Sequence, residues 1–265
     1  MSILTTQNLT RAFGSLTAVD HLNISVDSGS TFGLLGPNGA GKTTVIKMLT
    51  TLLPPTGGSA LIDGLDIVRK SADVRRIIGY VPQLLSADGL LTGRENLEVF
   101  AKLYDLPRGE RDARIRDALH FMDLDSHADR LVRTYSGGLI RRLEIAQSML
   151  HRPRILFLDE PTVGLDPMAR RAVWEMIDKL QNEFGTTIFL TTHYMEEADQ
   201  LCSSLAIMHL GKVTAIGSPT DLKARLGGNG VTLDQVFEHF TGDSLEGGGT
   251  YRETVRTRRV ARRLS

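Results

Sequence analysis

Apolar residues along the chain fall into short runs, and several of these runs are continuous instead of alternating. Thr31-Phe32-Gly33-Leu34-Leu35, Ile155-Leu156-Phe157-Leu158 and Thr187-Ile188-Phe189-Leu190-Thr191 have strand length and almost no polar face. That is the pattern of strands buried on both sides of a parallel sheet. Residues 3–9 also read as a strand, and residues 22–27 alternate with period two. Ser59-Ala60-Leu61-Ile62, Ile77-Ile78-Gly79-Tyr80-Val81, Ser204-Leu205-Ala206-Ile207-Met208 and Val213-Thr214-Ala215-Ile216 add further strands. Pro54-Pro55-Thr56-Gly57-Gly58 is a breaker between the first half of this pattern and the second.

From about 85 to 152 the period becomes helical. Thr92-Gly93-Arg94-Glu95 is a capping box, and it opens a helix with Leu97, Phe100, Ala101 and Tyr104 on one side. Residues 108–123 predict a charged amphipathic helix that buries Ile115, Ala118, Leu119 and Met122. The predicted fold is therefore α/β, a mixed sheet with an all-helical insert.

Composition narrows the class. The chain has 265 residues, 41% of them apolar and 23% charged, as in an ordinary globular protein. No apolar run reaches the ~18 residues of a membrane helix. The N-terminus has neither the basic start nor the apolar core of a signal peptide. Cys202 is the single cysteine, so no disulfide framework is expected and a reducing cytosol suits the chain. The net charge of zero is uneven, because Arg252, Arg256, Arg258, Arg259, Arg262 and Arg263 face one acid, Glu253, in residues 251–265. Residues 1–250 are correspondingly acidic, which argues against nucleic acid as a partner. Residues 241–265, with Gly247-Gly248-Gly249, read as a flexible basic tail that is either solvated or in contact with anionic lipid.

The chemistry concentrates after the first buried run. Gly36-Pro37-Asn38-Gly39-Ala40-Gly41-Lys42-Thr43-Thr44 fits the phosphate-binding pattern G-x-x-x-x-G-K-[ST], with a strand before it and a helix after it. Its glycines let backbone N–H groups approach an anion, and the following helix turns its positive end to the same place. Lys42 can reach the β- and γ-phosphates, and the Thr43 hydroxyl can ligate Mg²⁺. The run at 155–158 ends in Asp159-Glu160, two carboxylates at the edge of a parallel sheet where ligands bind. Asp159 can hold Mg²⁺ through water, and Glu160 can orient or deprotonate the water that attacks a γ-phosphate.

Other signals are weaker taken singly. Ser136-Gly137-Gly138 caps a helix containing Leu139, Leu143, Ile145 and Ala146, and is either a second anion site or only a cap. Asp166 caps a further helix with Pro167 as its first residue. Gln83 follows the strand at 77–81, and His193 follows the strand at 187–191, at the sheet edge that carries the phosphate loop. Phe13, expected between the first two strands, either stacks on a base or fills a core or edge position.

Taken in order, residues 36–44, Gln83, 136–138, 155–160, 164–166 and His193 resemble an ATP-binding cassette ATPase over about residues 1–240. The resemblance implies a P-loop NTPase core with an N-terminal antiparallel β-subdomain and the helical insert at about 85–152. It implies Gln83 as the Q-loop glutamine and a metal contact, Asp166 as the D-loop residue, His193 as the switch histidine and Phe13 as the adenine-stacking ring. Tyr135-Ser136-Gly137-Gly138-x-x-Arg141-Arg142-Leu143-Glu144 and residues 232–242 resemble the daunorubicin-resistance type of exporter. Leu139 and Ile140 depart from the usual signature, which has glutamine and often arginine there. The implied activity is ATP hydrolysis with ATP and Mg²⁺, in a head-to-tail dimer where each nucleotide lies between one chain's phosphate loop and the other's residues 136–138. The implied partner is a separate membrane permease near Gln83 and the insert, at the cytoplasmic face of the membrane. Alternatives from the sequence are a cassette ATPase switching on ribosomes or DNA, and an importer ATPase.

Overall fold

The computed structural model describes residues 1–228 and 230–242; the rest of the expected basic tail lies outside the described residues. The chain opens with β1 (Ser2–Phe13), β2 (Leu16–Leu22), β3 (Ser25–Asp27), β4 (Thr31–Leu35), α1 (Lys42–Leu49), β5 (Gly57–Ile62), β6 (Leu65–Asp66), α2 (Ser71–Ile77) and β7 (Ile78–Val81). Helices α3 (Gly93–Leu103), α4 (Arg108–Phe121) and α5 (Gly137–Met149) follow. The sheet then resumes with β8 (Ile155–Asp159), α6 (Pro167–Phe184), β9 (Thr187–Thr192), α7 (Met195–Leu201), β10 (Ser204–His209), β11 (Lys212–Gly217), α8 (Pro219–Ala224) and α9 (Leu233–Thr241).

The main sheet runs β11-β10-β4-β9-β8-β7. Only the β10–β11 pair is antiparallel. The continuous apolar runs have a direct cause here. Phe32, Leu34, Phe157 and Phe189 point into a core shared with α1 and the N-terminal strands, and Leu35, Leu156, Leu158, Ile188 and Leu190 point into a core shared with α3, α5, α6 and α9. Both faces are covered, so neither set of alternate positions is free to be polar. Each such side chain contributes roughly 1.5–3 kcal/mol by leaving water. Phe32 and Phe157 flank the Phe189 ring at 5.4 and 5.5 Å.

Register places the chemistry. Leu35 pairs with Thr192, and Asp159 pairs with Thr191, so β4, β8 and β9 end at the same edge. The segments that leave that edge carry the phosphate loop, Glu160 and His193. The insert between β7 and β8 is helical. The Thr92 hydroxyl accepts from the Glu95 amide at 3.1 Å, and the Glu95 carboxylate accepts from the Thr92 amide at 2.8 Å. Ile115, Leu119 and Met122 are buried in the core shared with α3, α5, α6 and α9, whereas Ala118, expected to be buried with them, is only partly covered.

The N-terminal sheet runs β2-β1-β5-β6, with β3 also on β1. The expectation of a strand at 22–27 needs correction, because β2 ends at Leu22 and β3 starts only at Ser25. Asn23 and Ile24 lie between the two strands and belong to neither. Phe13 does not lie between strands. It is the last residue of β1, opposite Leu16 across a tight hairpin. Gly57 and Gly58 belong to β5 and not to the preceding breaker. Thr232 and Gln235 form a capping box on α9, a signal present in the sequence but unused.

Candidate functional site

The phosphate loop packs so closely that its glycines are fixed by space as well as by shape. A Cβ on Gly36 would lie 2.2 Å from the Met208 carbonyl oxygen, and one on Gly41 would lie 2.3 Å from that of Ala18. Gly41 also takes φ +106 as it enters α1. The loop is pinned by Gly36 N–H to Thr192 O (3.1 Å), Ala40 N–H to Pro37 O (3.2 Å) and Gly211 N–H to Ala40 O (3.0 Å). The first amides of α1 have no acceptor within the helix, so they face whatever the loop encloses. What it borders is a cavity of about 260 Å³ lined by Ala18, Asn38, Gly39, Gly41, Lys42, Thr43, Thr44, Gln83 and Glu160.

Glu160 is the centre of the charged groups. It follows β8 with φ +49, a backbone conformation that few non-glycine residues adopt. Two contacts of its amide, to the Thr191 carbonyl and hydroxyl at 3.1 Å each, hold it there. Its carboxylate lies 3.0 Å from Lys42 Nζ and 3.3 Å from His193 Nδ1, and accepts from Gln83 Nε2 at 3.0 Å. Burial pushes the Glu160 carboxyl up, but the His193 ring and the Lys42 ammonium outweigh it and hold the group below the ordinary glutamate value. Lys42, almost fully buried, donates also to Gly36 O at 2.7 Å and Pro37 O at 3.1 Å. Burial lowers its pKa, in part offset by Glu160 and Asp159.

Asp159 is buried beside them. Its Oδ1 accepts from Thr191 Oγ1 at 2.6 Å and from Thr43 Oγ1 at 3.3 Å. Burial raises its pKa, against the pull of these two hydroxyls. Among the described residues no cluster of three or more His, Cys, Asp or Glu is set to hold a metal alone. A hard cation that keeps waters and phosphate oxygens needs only one or two protein oxygens, and Thr43 with Asp159 could supply them.

The fold thus brings together Gly36, Pro37, Asn38, Gly39, Ala40, Gly41, Lys42, Thr43, Thr44, Gln83, Asp159, Glu160 and His193. It does not bring Ser136, Gly137, Gly138, Asp166 or Phe13 into the lining of that cavity. Ser136 and Gly137 are exposed at the start of α5, where the Ser136 hydroxyl accepts from the Leu139 amide at 3.3 Å. Gly138 has a packing reason, since a Cβ there would meet Ala169 Cβ at 2.9 Å. Asp166 is exposed and caps α6 through the Ala169 amide at 2.9 Å. Phe13 is 45% exposed, with the Arg11 guanidinium 4.5 Å from its ring centre.

Two supports were missed in the sequence. Thr191 donates to the Asp159 carboxylate and accepts from the Glu160 amide, and its only signal is a hydroxyl at the end of an apolar strand paired with Asp159. Glu197 is fully buried and accepts from Thr162 Oγ1 at 2.7 Å and Trp174 Nε1 at 3.0 Å, tying the segment after Glu160 to α6 and α7. Burial raises its pKa.

A model of the family described as "ABC transporter" matches residues 19–163, more than half of the chain. The chain belongs to that family. ATP-binding and ATP hydrolysis are therefore its chemistry. The chain is 40% identical to the linearmycin resistance ATP-binding protein of Bacillus subtilis, over 90% of this chain and 77% of that protein. It is 43% identical to the daunorubicin/doxorubicin resistance ATP-binding protein of Streptomyces peucetius, over 86% of this chain and 69% of that one. Among solved structures, the ATP-binding subunit of an ABC transporter superposes with a TM-score of 0.79 at 29% identity, covering 90% of this chain and 99% of that one. A dimeric, post-hydrolysis cassette bound to ADP and Pi superposes with a TM-score of 0.72 at 26% identity, covering 81% of this chain and 98% of that one. No helix among the described residues is long and apolar enough to cross a membrane.

Proposed function

We propose that this cassette is the motor of an exporter of drugs or other hydrophobic compounds, paired as two copies around two ATP and attached to a separate membrane permease. The export class rests on the resistance proteins it resembles. Residues 1–240 act as the ATPase unit, with the helical insert at about 85–152 as its permease-facing part. The observation that carries the mechanism is the group around Glu160: one carboxylate within 3.3 Å of Lys42, Gln83 and His193, at the mouth of the loop.

Each residue then has a task. The amides of residues 39–44 and the Lys42 ammonium bind the β- and γ-phosphates. Phe13, 45% exposed at the end of β1, stacks on the adenine. Thr43, Asp159 and Gln83 hold Mg²⁺, which when bound neutralises charge on the β- and γ-phosphate oxygens. Phosphate draws Lys42 away from Glu160, removing the cation that lowers its basicity. Glu160 then takes the proton of the attacking water, a contribution of roughly 10²–10⁴-fold. His193 stays beside it as a γ-phosphate contact.

The residues left outside the cavity support the pairing. Ser136, Gly137 and the capped start of α5 present N–H groups outward, which suits the γ-phosphate held by a second copy. Asp166, the exposed N-cap of α6, accepts from the amide of Ala169, the residue against which Gly138 packs. Leu84 and Leu90 are 81% and 76% exposed, and Leu85 is exposed between them, directly after Gln83. A polar solvent-facing loop has no reason to carry them, whereas a membrane subunit that senses Gln83 does. That attachment places the chain at the cytoplasmic face of the membrane, peripherally.

The test is co-expression with a candidate permease and fractionation. Recovery of the chain with membranes only when the permease is present, together with ATP-dependent drug efflux from inverted vesicles, is the expected result. A chain that fractionates with ribosomes or nucleic acid whether or not the permease is present contradicts the export reading, as does uptake in place of efflux.

A further inference from the structure

Beneath Gln83 lies a buried ion pair that the ATP chemistry does not use. Arg141 and Glu144 sit one turn apart on α5, 1% and 2% exposed, with Arg141 Nη1 3.0 Å from Glu144 Oε2. Neither spends its remaining valences on solvent. Arg141 Nη1 donates to Pro82 O at 2.7 Å and Nη2 to Gln83 O at 2.8 Å. Glu144 Oε1 accepts from the Ser86 hydroxyl at 3.0 Å and from the Ser86 amide. Among the described residues, no backbone–backbone hydrogen bond of a turn or loop involves residues 83–87. Residues 83–87 are thus tied down by two side chains of α5 and not by their own backbone, while Asn96 of α3 holds Asp88 beyond them at 2.9 and 3.0 Å.

A buried ion pair is weak support for stability, since well-packed apolar residues of similar volume are often as good. What this pair supplies is geometry. The planar guanidinium fixes two adjacent carbonyls at once, which a point charge cannot do. Gln83 in turn donates to Glu160. At the other end, α5 is capped by Ser136, about 7.5 Å along the helix axis from Arg141. One rigid helix therefore joins the exposed anion-binding end of α5 to the glutamine that touches the base.

We propose that Arg141 and Glu144 are positioning residues that clamp the Gln83 loop to α5 and so set Gln83 against Glu160. The inference rests on Glu160 being the base. Through the clamp, any shift of α5 on engaging a second copy's nucleotide is delivered to Gln83. The two sites then move as one body.

The test uses the full chain and steady-state ATP turnover, with Arg141→Met/Glu144→Leu as the apolar replacement of the pair. We expect kcat to fall by about 10- to 100-fold, the scale of a misplaced group near the chemistry. KM for ATP should stay within about twofold, because the loop that binds phosphate is untouched. In a Gln83→Ala background the same double change should alter kcat by less than about twofold, since its effect passes through Gln83. Arg141→Lys keeps the charge and loses the fork, and should cost about three- to tenfold in kcat with an unchanged melting temperature. Should the double variant fail to fold, this variant decides the matter. A normal kcat in the folded double variant, or in Arg141→Lys where only that variant folds, overturns the clamp. So does an undiminished further loss in the Gln83→Ala background. Glu160→Gln, measured alongside, separates the two failures: full activity there refutes the base, whereas an inactive Glu160→Gln with a normal clamp variant refutes the clamp alone.

Discussion

Two loop glycines that look alike in sequence should respond very differently to one added methyl. Gly41→Ala meets two penalties. Its φ of +106 lies outside the ordinary range of an L residue, at a cost of about 1–3 kcal/mol. Its Cβ would also lie 2.3 Å from Ala18 O and 2.9 Å from Met208 Cε. The methionine can swing away, but the carbonyl belongs to the backbone of β2. That contact is more than ~1 Å inside the roughly 3.5 Å optimum, and overpacking of this kind costs about 1–3 kcal/mol. Together the two amount to about 2–6 kcal/mol, which the loop escapes only by moving off β2. Binding ATP would then have to restore it, so affinity should fall by at least about 30-fold. Gly39→Ala meets the backbone penalty alone, because its φ is +86 but no atom lies within 4 Å of the new Cβ. Its affinity loss should span about 5- to 150-fold and stay at least about fivefold below that of Gly41→Ala. Titration of a fluorescent ATP analogue into both variants, with melting temperatures alongside, measures the difference. Equal losses in the two variants would refute the reasoning, because the space behind Gly41 would then be irrelevant.

Three further outcomes follow from the geometry. Glu197 keeps its proton in the folded chain at pH values where an unfolded glutamate has lost it, so it subtracts stability as pH rises through and beyond the ordinary glutamate range. Glu197→Gln keeps an acceptor for Thr162 and Trp174, and its urea midpoint should gain on wild type as pH rises from 5 to about 8; parallel curves would contradict this. Thr43→Val removes a hydroxyl 3.3 Å from Asp159 and should raise the Mg²⁺ concentration for half-maximal turnover by about tenfold, whereas an unchanged Mg²⁺ titration would remove Thr43 from the metal site. Leu84→Ser/Leu85→Ser should reduce recovery with the permease in an affinity pull-down by about tenfold, and full recovery would place the permease elsewhere.

Legibility in the sequence followed locality. The phosphate loop, β4, β8 and β9 were plain because their signals are contiguous and their burial on both faces leaves no polar positions to confuse them. The cap residues Thr92, Ser136 and Asp166 were plain for the same reason, since a cap is read within four residues. β2 was missed because Leu16-Thr17-Ala18-Val19-Asp20-His21-Leu22 is half exposed and does not alternate cleanly. α2 was missed because it has seven residues and buries only Val74. The supporting residues failed for a different reason. Arg141, Glu144 and Glu197 carry charge, and a charged residue on a short or amphipathic helix is expected to face water. Their burial comes from loops and helices distant in the chain that close over them. Gly138 reads in sequence as part of either an anion site or a helix cap, and its contact with Ala169 on α6 shows a packing demand that no local pattern carries.

The central claim is that Glu160 is the base of an ATPase that closes as a dimer around its nucleotide. Glu160→Gln keeps the shape of the side chain and its contact with Gln83 while removing the proton acceptor. ATP turnover and sedimentation of wild type and variant, with and without ATP, give the direct test. The account predicts that turnover falls by roughly 10²–10⁴-fold while an ATP-dependent dimer accumulates. Turnover near the wild-type rate would contradict it.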